Sequence, residues 1–169
     1  MATTKAANIT LMDATPGSPA PAGLQGAPVR VIMDTIATAA VVAVDDVILL
    51  ARVPARAYLK SVKLAIDDLG TTGDLDIGFY AGTGTGGTAG AVLDRNALAS
   101  AVDVNAAATA LTEYRFNLLD KNTIRQPVWD LATLSAAPDY DYIDIAITPT
   151  EATTAAGDIT IIVEYMDAV

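Results

Sequence analysis

The chain has neither cysteine nor histidine among its 169 residues. Without a thiol there is no disulfide framework, sulfur nucleophile or zinc–thiolate site, and without imidazole the usual general base and transition-metal ligand are missing. The commonest hydrolase and metalloenzyme constellations are therefore excluded. Basic residues are also scarce: ten Lys and Arg face 20 Asp and Glu, for a formal net charge of −10. A surface that acidic repels phosphates and anionic head groups, which argues against direct nucleic-acid or membrane partners. Aromatics make up 5% of the chain, with a single Trp. Long apolar runs are missing too. The longest, Ile36 to Leu50, is interrupted by Asp45 and Asp46, and the opening Met-Ala-Thr-Thr-Lys-Ala-Ala-Asn has no basic segment followed by an apolar one. The expectation is an unsecreted, soluble protein.

What is present is small and β-forming. Hydrophobic residues reach 52%, much of it alanine, with enough Val and Ile to cover pleated surfaces. The length suits one compact domain. From Val29 onward the apolar residues recur at every second position, the spacing that puts them on one face of a strand. Val62, Leu64 and Ile66 alternate with Ser61, Lys63 and Ala65; Leu75, Ile77 and Phe79 alternate with Asp74, Asp76 and Gly78. Tyr114, Phe116 and Leu118 do the same against Glu113, Arg115 and Asn117, as do Ile143, Ile145 and Ile147 against Tyr142, Asp144 and Ala146. Ile159, Ile161, Val163 and Tyr165 form a last inward face after a turn over Thr148 to Gly157.

Further strands are expected at Val29 to Ala37 and Val47 to Val53, with a short extra one at Val41 to Val44. Asp94 is positioned to cap a short helix running to about Ala101, and Pro127 to start another carrying Val128, Trp129 and Leu131. Seven or eight strands without a sustained helical repeat predict an all-β, two-sheet sandwich with one or two short helices.

Residues 1–28 differ in composition. Pro16, Pro19, Pro21 and Pro28 with Gly17, Gly23 and Gly26 oppose regular structure, because proline removes amide donors and glycine raises chain entropy. The segment reads as an extended N-terminal arm before a β-sandwich domain over 29–169. Its bulky apolar residues Ile9, Leu11, Met12 and Leu24 are the candidate anchors into a partner.

Other motifs carry weaker signals. Gly82-Thr83-Gly84-Thr85-Gly86-Gly87 has the glycine content of a phosphate-cradling loop, yet no Lys follows it and no βαβ pattern flanks it, so it reads as a loop tip. Asp67, Asp68, Asp74 and Asp76, and separately Asp139 and Asp141, supply the hard oxygens a Ca²⁺ ion takes, but their spacing is far from an EF-hand loop and solvated turns are the commoner outcome. A pair of acids alone gives only weak support for a glycoside hydrolase. Trp129, Tyr140 and Tyr142 could stack on sugar or anchor an interface; Trp129 reads more simply as closing one end of the core.

The stretch Asp45 to Tyr80 resembles tailed-phage virion proteins. It carries Asp45-Asp46-Val47-Ile48-Leu49-Leu50-Ala51-Arg52-Val53-Pro54-Ala55, then Tyr58-Leu59-Lys60-Ser61-Val62, then Asp67-Asp68-Leu69-Gly70, and finally Gly73-Asp74-Leu75-Asp76-Ile77-Gly78-Phe79-Tyr80. The resemblance implies a head decoration or cement protein with a jelly-roll-like fold, made in the host cytoplasm and bound to the major capsid protein on the outer surface of the shell. It also implies self-association, as a trimer, and brings no catalytic residue, cofactor or metal. Arg52, Arg56, Lys60 and Lys63 are then candidates for pairing with an acidic lattice. A carbohydrate-binding or receptor-binding module of a phage tail or host-recognition apparatus is the alternative.

Overall fold

The computed structural model describes residues 28–38, 41–70, 73–82, 89–105, 108–114, 123 and 126–167. Eight strands and one short helix run in chain order: β1 (Val29–Ala37), β2 (Ile48–Pro54), β3 (Tyr58–Ile66), β4 (Asp74–Ala81), β5 (Val92–Asp103), β6 (Ala108–Glu113), α1 (Val128–Leu131), β7 (Tyr142–Pro149) and β8 (Asp158–Met166). They form two four-stranded sheets, ordered β1-β8-β3-β6 and β2-β7-β4-β5. All pairings are antiparallel, and β1 pairs with β8, β2 with β7, β3 with β6 and β4 with β5. The chain is thus one long hairpin folded over on itself, so that its two halves lie side by side in both sheets. That is the eight-strand jelly roll, and it agrees with the two-sheet sandwich read from the sequence.

The alternating residues meet between the sheets. Val62, Leu64 and Ile66 of β3 lie opposite Val163, Ile161 and Ile159 of β8, and all six are buried. On the other sheet Ile143, Ile145 and Ile147 of β7 join Leu75, Ile77 and Phe79 of β4, again buried. Their β-branched side chains have few χ1 choices to lose and fit the pleat. Helix α1 closes one end. Pro127 precedes its first turn, the amides of Val128 and Trp129 donate to the carbonyls of Ala57 and Ala55, and Trp129 packs half-buried against the core.

Four expectations are corrected. Residues 94–101 are part of β5 and not a helix. Asp94 does accept a bond from the Asn96 amide at 3.3 Å, but Leu98 and Ala99 are drawn into the core, and this burial overrides the helix propensity of an alanine-rich run. From the Leu75–Val102 pair to the Tyr80–Val92 pair, β5 advances ten residues while β4 advances five. Bulges take up the excess and fold β5 over the outer side of β4. Gly78 makes room for this: a Cβ there would lie 2.1 Å from the Asp94 carbonyl oxygen. Val41 to Val44 is a turn, shaped by Asp45 at φ 66° and by the Asp46 carboxylate accepting the Ala43 amide. Tyr114, expected in a strand with Glu113, lies just past the end of β6, where the Glu113 carboxylate takes the Val62 amide and the Ser61 hydroxyl and fastens β6 to β3. Residues 115–118 lie outside the described residues. Finally, Thr148 belongs to β7, and the turn runs from Thr150.

Placing an unpaired carboxylate in this core, as in Val62→Asp or Ile145→Asp, should prevent cooperative folding. The milder Ile145→Val should lower stability by about 0.5–1.5 kcal/mol, read from urea denaturation followed by Trp129 fluorescence. An aspartate variant that melts like the parent would mean the strand faces are reversed.

Candidate functional site

Among the described residues, three regions outside the core gather polar side chains or exposed apolar surface. The first is the outer side of the sheet containing β7. Asp144 pairs in register with Arg52 on β2 and Tyr80 on β4. Its buried carboxylate accepts from Arg52 Nε at 2.6 Å and Nη2 at 2.8 Å, a two-pronged ion pair. The Tyr80 ring, also buried, reaches Thr148, their hydroxyls 2.5 Å apart, and the small residues Ala146 and Gly78 lie between. One turn further along, Asp76 accepts from the Ser100 hydroxyl and the Ala101 amide. Its other oxygen lies 2.9 Å from Arg95 Nε, while Arg95 also bonds Asp45 and the Pro149 carbonyl. Burial works against the Arg95 charge, but Asp45 and Asp76 more than offset it and raise its pKa. Each charge lies beside an opposite one, although the buried Arg95 Nε makes no hydrogen bond of its own. The network clamps β2, β4, β5 and β7 together.

This placement changes the reading of several residues. Arg52 pairs with Asp144 while its side chain stays 45% exposed, and Arg56 and Lys60 are exposed as well. Asp67 and Asp68 accept the amides of Asp158 and Gly70, bonds that hold their turns. Among the described residues no group of three or more acidic side chains is arranged to hold a metal ion. Gly82 is described, but residues 83–87 of the glycine-rich loop are not. Ile9, Leu11, Met12 and Leu24 also lie outside the described residues.

The second region is a cleft of about 490 Å³ at one end of the sandwich, between the β2–β3 turn and residues 137–142. Arg56, Asp139, Tyr140, Asp141 and Tyr142 line it, along with Pro54 and Pro138. The Ala55 amide donates to the Asp141 carbonyl and ties the two walls together at 2.8 Å. Tyr142 is exposed, whereas Tyr140 packs against the core and burial raises its hydroxyl pKa above the usual range. Trp129 is not part of this lining. The grouping of Arg56 with the two tyrosines was not legible from the sequence, because 84 positions separate Arg56 from Tyr140.

The third region is β1, the outermost strand of its sheet. Val31 is 57% exposed and Met33 68%, and Ile36 on the opposite side of the strand is 38% exposed. Val29 is exposed as well, and Ile162 and Met166 of β8 lie beside Met33 and Val29 on the same surface. Between β1 and β2, the facing edges of the two sheets, opens a cleft of about 320 Å³ walled by Ile36, Val41, Val42 and Ile48. Single exposed apolar residues are ordinary, but here they form a row along a strand whose outer edge pairs with nothing among the described residues.

No protein-family model matches the chain. No curated protein matches it by sequence. The three-dimensional arrangement does have solved counterparts. A chain of the cyanophage Pam1 capsid asymmetric unit aligns over 83% of this chain and 85% of its own length, at 19% identity and a TM-score of 0.53. A chain of the capsid of Ralstonia phage GP4 aligns over 84% and 86%, at 21% identity and a TM-score of 0.54. The fold is one found in phage capsids.

Truncating Arg52 to Ala strands the buried Asp144 carboxylate. The expected loss is about 1–3 kcal/mol, tempered by the solvent that reaches the guanidinium. Lys60→Ala, on the exposed side of β3, should change stability by less than about 0.5 kcal/mol. Equal denaturation midpoints for the two variants would show that the Arg52–Asp144 pair does not hold the outer side of the sheet.

Proposed function

We propose that this protein is a non-enzymatic virion structural protein that binds the major capsid protein and stabilises a phage shell as a decoration or cement protein. The observation that carries the reading is the jelly roll's alignment, over more than four-fifths of both chains, with members of two phage capsid assemblies. Its chemistry is compatible: ionic groups on the outer side of the β7 sheet are paired with one another, and β1 offers a strand edge with exposed apolar side chains. Homo-oligomerisation, as a trimer, is part of the proposal. An oligomer that bridges several lattice sites gains effective concentration for each contact after the first, so modest contacts suffice. The net charge of −10 favours the outer surface over contact with packaged DNA.

A second reading follows from the end cleft, where Tyr142 stands exposed beside Arg56, Asp139 and Asp141. Aromatic faces with polar groups around them suit a sugar ring, as in a receptor-binding module. Particles stripped of the protein separate the two. As a cement protein, its removal should lower the temperature or osmotic step at which DNA escapes, and adding it back should restore the original threshold. Release at unchanged conditions, together with glycan-array binding that Tyr142→Ala abolishes, would establish the sugar-binding reading in its place.

A further inference from the structure

We infer that the β1 edge is the docking site for the N-terminal arm of a second copy of this chain, which adds the segment Asn8–Met12 as an extra strand and seats its apolar side chains in the β1–β2 cleft. The inference rests on the self-association in the proposed function and not on capsid binding.

The edge itself sets the requirements. β1 is nine residues long, reads Val-Arg-Val-Ile-Met-Asp-Thr-Ile-Ala, and pairs along its whole length with β8 on one side only. Among the described residues nothing pairs with its other side. Such an edge presents unpaired amides and carbonyls in register, and protected edges usually carry lysines, prolines or bulges to block a newcomer. Here the charges are few and already occupied: Arg30 bonds Asp167, and the Asp34 carboxylate accepts the Thr35 amide. The strand is apolar on both faces, with Val31 and Met33 to one side and Ile32 and Ile36 to the other. That is the pattern of a strand covered on both faces. An occupant must therefore supply a strand, apolar groups for the cleft and little charge.

The arm meets each requirement. Asn8-Ile9-Thr10-Leu11-Met12 alternates at period two, so that Ile9 and Leu11 share one face and Thr10 and Met12 the other. Residues 1–28 contain one cation, Lys5, and one acid, Asp13, which leaves the whole charge of −10 on residues 29–169. A neutral arm approaches that body without the repulsion that two whole domains face. The arm joins the domain at Pro28, directly before β1. Between Met12 and Val29 lie residues 13–28 with four prolines, which at roughly 3.1 Å per residue reach about 50 Å. That exceeds the ~37 Å width of a domain this size, and a proline-stiffened spacer favours reaching a neighbour over a tight return onto its own β1. Strand addition of this kind takes its affinity from main-chain bonds and its specificity from alternate side-chain pockets.

The absence of native cysteine makes the test clean. Two chains with different tags, one Thr10→Cys and the other Met33→Cys, positions that share the face turned away from the cleft, are mixed, refolded together and treated with a short bismaleimide. A cross-linked heterodimer is expected. In parallel, Ile9→Asn with Leu11→Asn should raise the dissociation constant of the oligomer at least tenfold by sedimentation, since two apolar anchors are lost. Val31→Lys, which places a charge at an exposed edge position, should do the same without changing the melt of the domain. A chain bearing both cysteines that links only within itself would overturn docking to a second copy. An oligomer that keeps its mass, yields no cross-link and ignores the Asn substitutions would overturn the arm site while leaving self-association intact. A parent chain that sediments as a monomer at every concentration would overturn self-association itself.

Discussion

The burial of β7 and β8, each between two neighbours in its own sheet, is what the rest of the molecule depends on. Each strand occupies an inner position in its sheet, β8 between β1 and β3 and β7 between β2 and β4. Their inward residues Ile143, Ile145, Ile147, Ile159, Ile161 and Val163 are all buried. The core therefore depends on the last part of the chain meeting strands made much earlier: Val29 pairs with Met166, and Tyr58 with the same residue from the other side. Such pairings require long loops to close before contacts repay the lost entropy, so a fold of this topology assembles slowly. Once formed, it is held at many places far apart in sequence.

That topology also determines where the molecule is open. A jelly roll leaves edge strands on each sheet, here β1 and β6 on one and β2 and β5 on the other. They are managed differently. β5 is bulged and folded over its own sheet, with Arg95 fixed to Asp76 and Asp45, and β6 is short and fastened through Glu113. β1 is long, regular and apolar. The contrast matters because an unprotected apolar edge is a liability for a free monomer and an asset for a protein that works only as part of an assembly.

Much of the fold was legible in the sequence, and the failures have a physical pattern. β1 and β3 coincide with their expected bounds because β3 buries one face and β1 starts directly after Pro28. β5 was hidden because its bulges destroy the period of two and its alanines carry helix propensity. Asp144 and Asp76 looked like solvent-facing partners of buried neighbours. They are buried instead, since β5 folds over that side of the sheet and Arg52 and Arg95 neutralise them. No local pattern announces such a pair: 92 positions separate Arg52 from Asp144. The end cleft was invisible for the same reason, although Tyr140, Tyr142 and the two aspartates had each drawn notice. The apolar character of β1 was plain, but alternation alone cannot tell a strand buried by its own domain from one left for a partner.

The scarcity of chemistry in the sequence and the openness of β1 belong to one design. A chain with no thiol and no imidazole, whose buried carboxylates are held by arginines, has few groups poised to move a proton or a bond. What it has in quantity is area: exposed apolar positions along β1 and its neighbours, and a net charge of −10 that opposes contact between whole domains. Opposing long-range repulsion with short-range apolar and main-chain contacts makes association sensitive to local concentration, because each single contact is weak against the background charge. On a repeating surface the second and third contacts form within one bound complex and meet that barrier at a much higher effective concentration. In the proposed role, an oligomer of this chain would hold firmly where a lattice presents several sites at once, a behaviour that would rest on its charge and its strand edge and would need no reactive group.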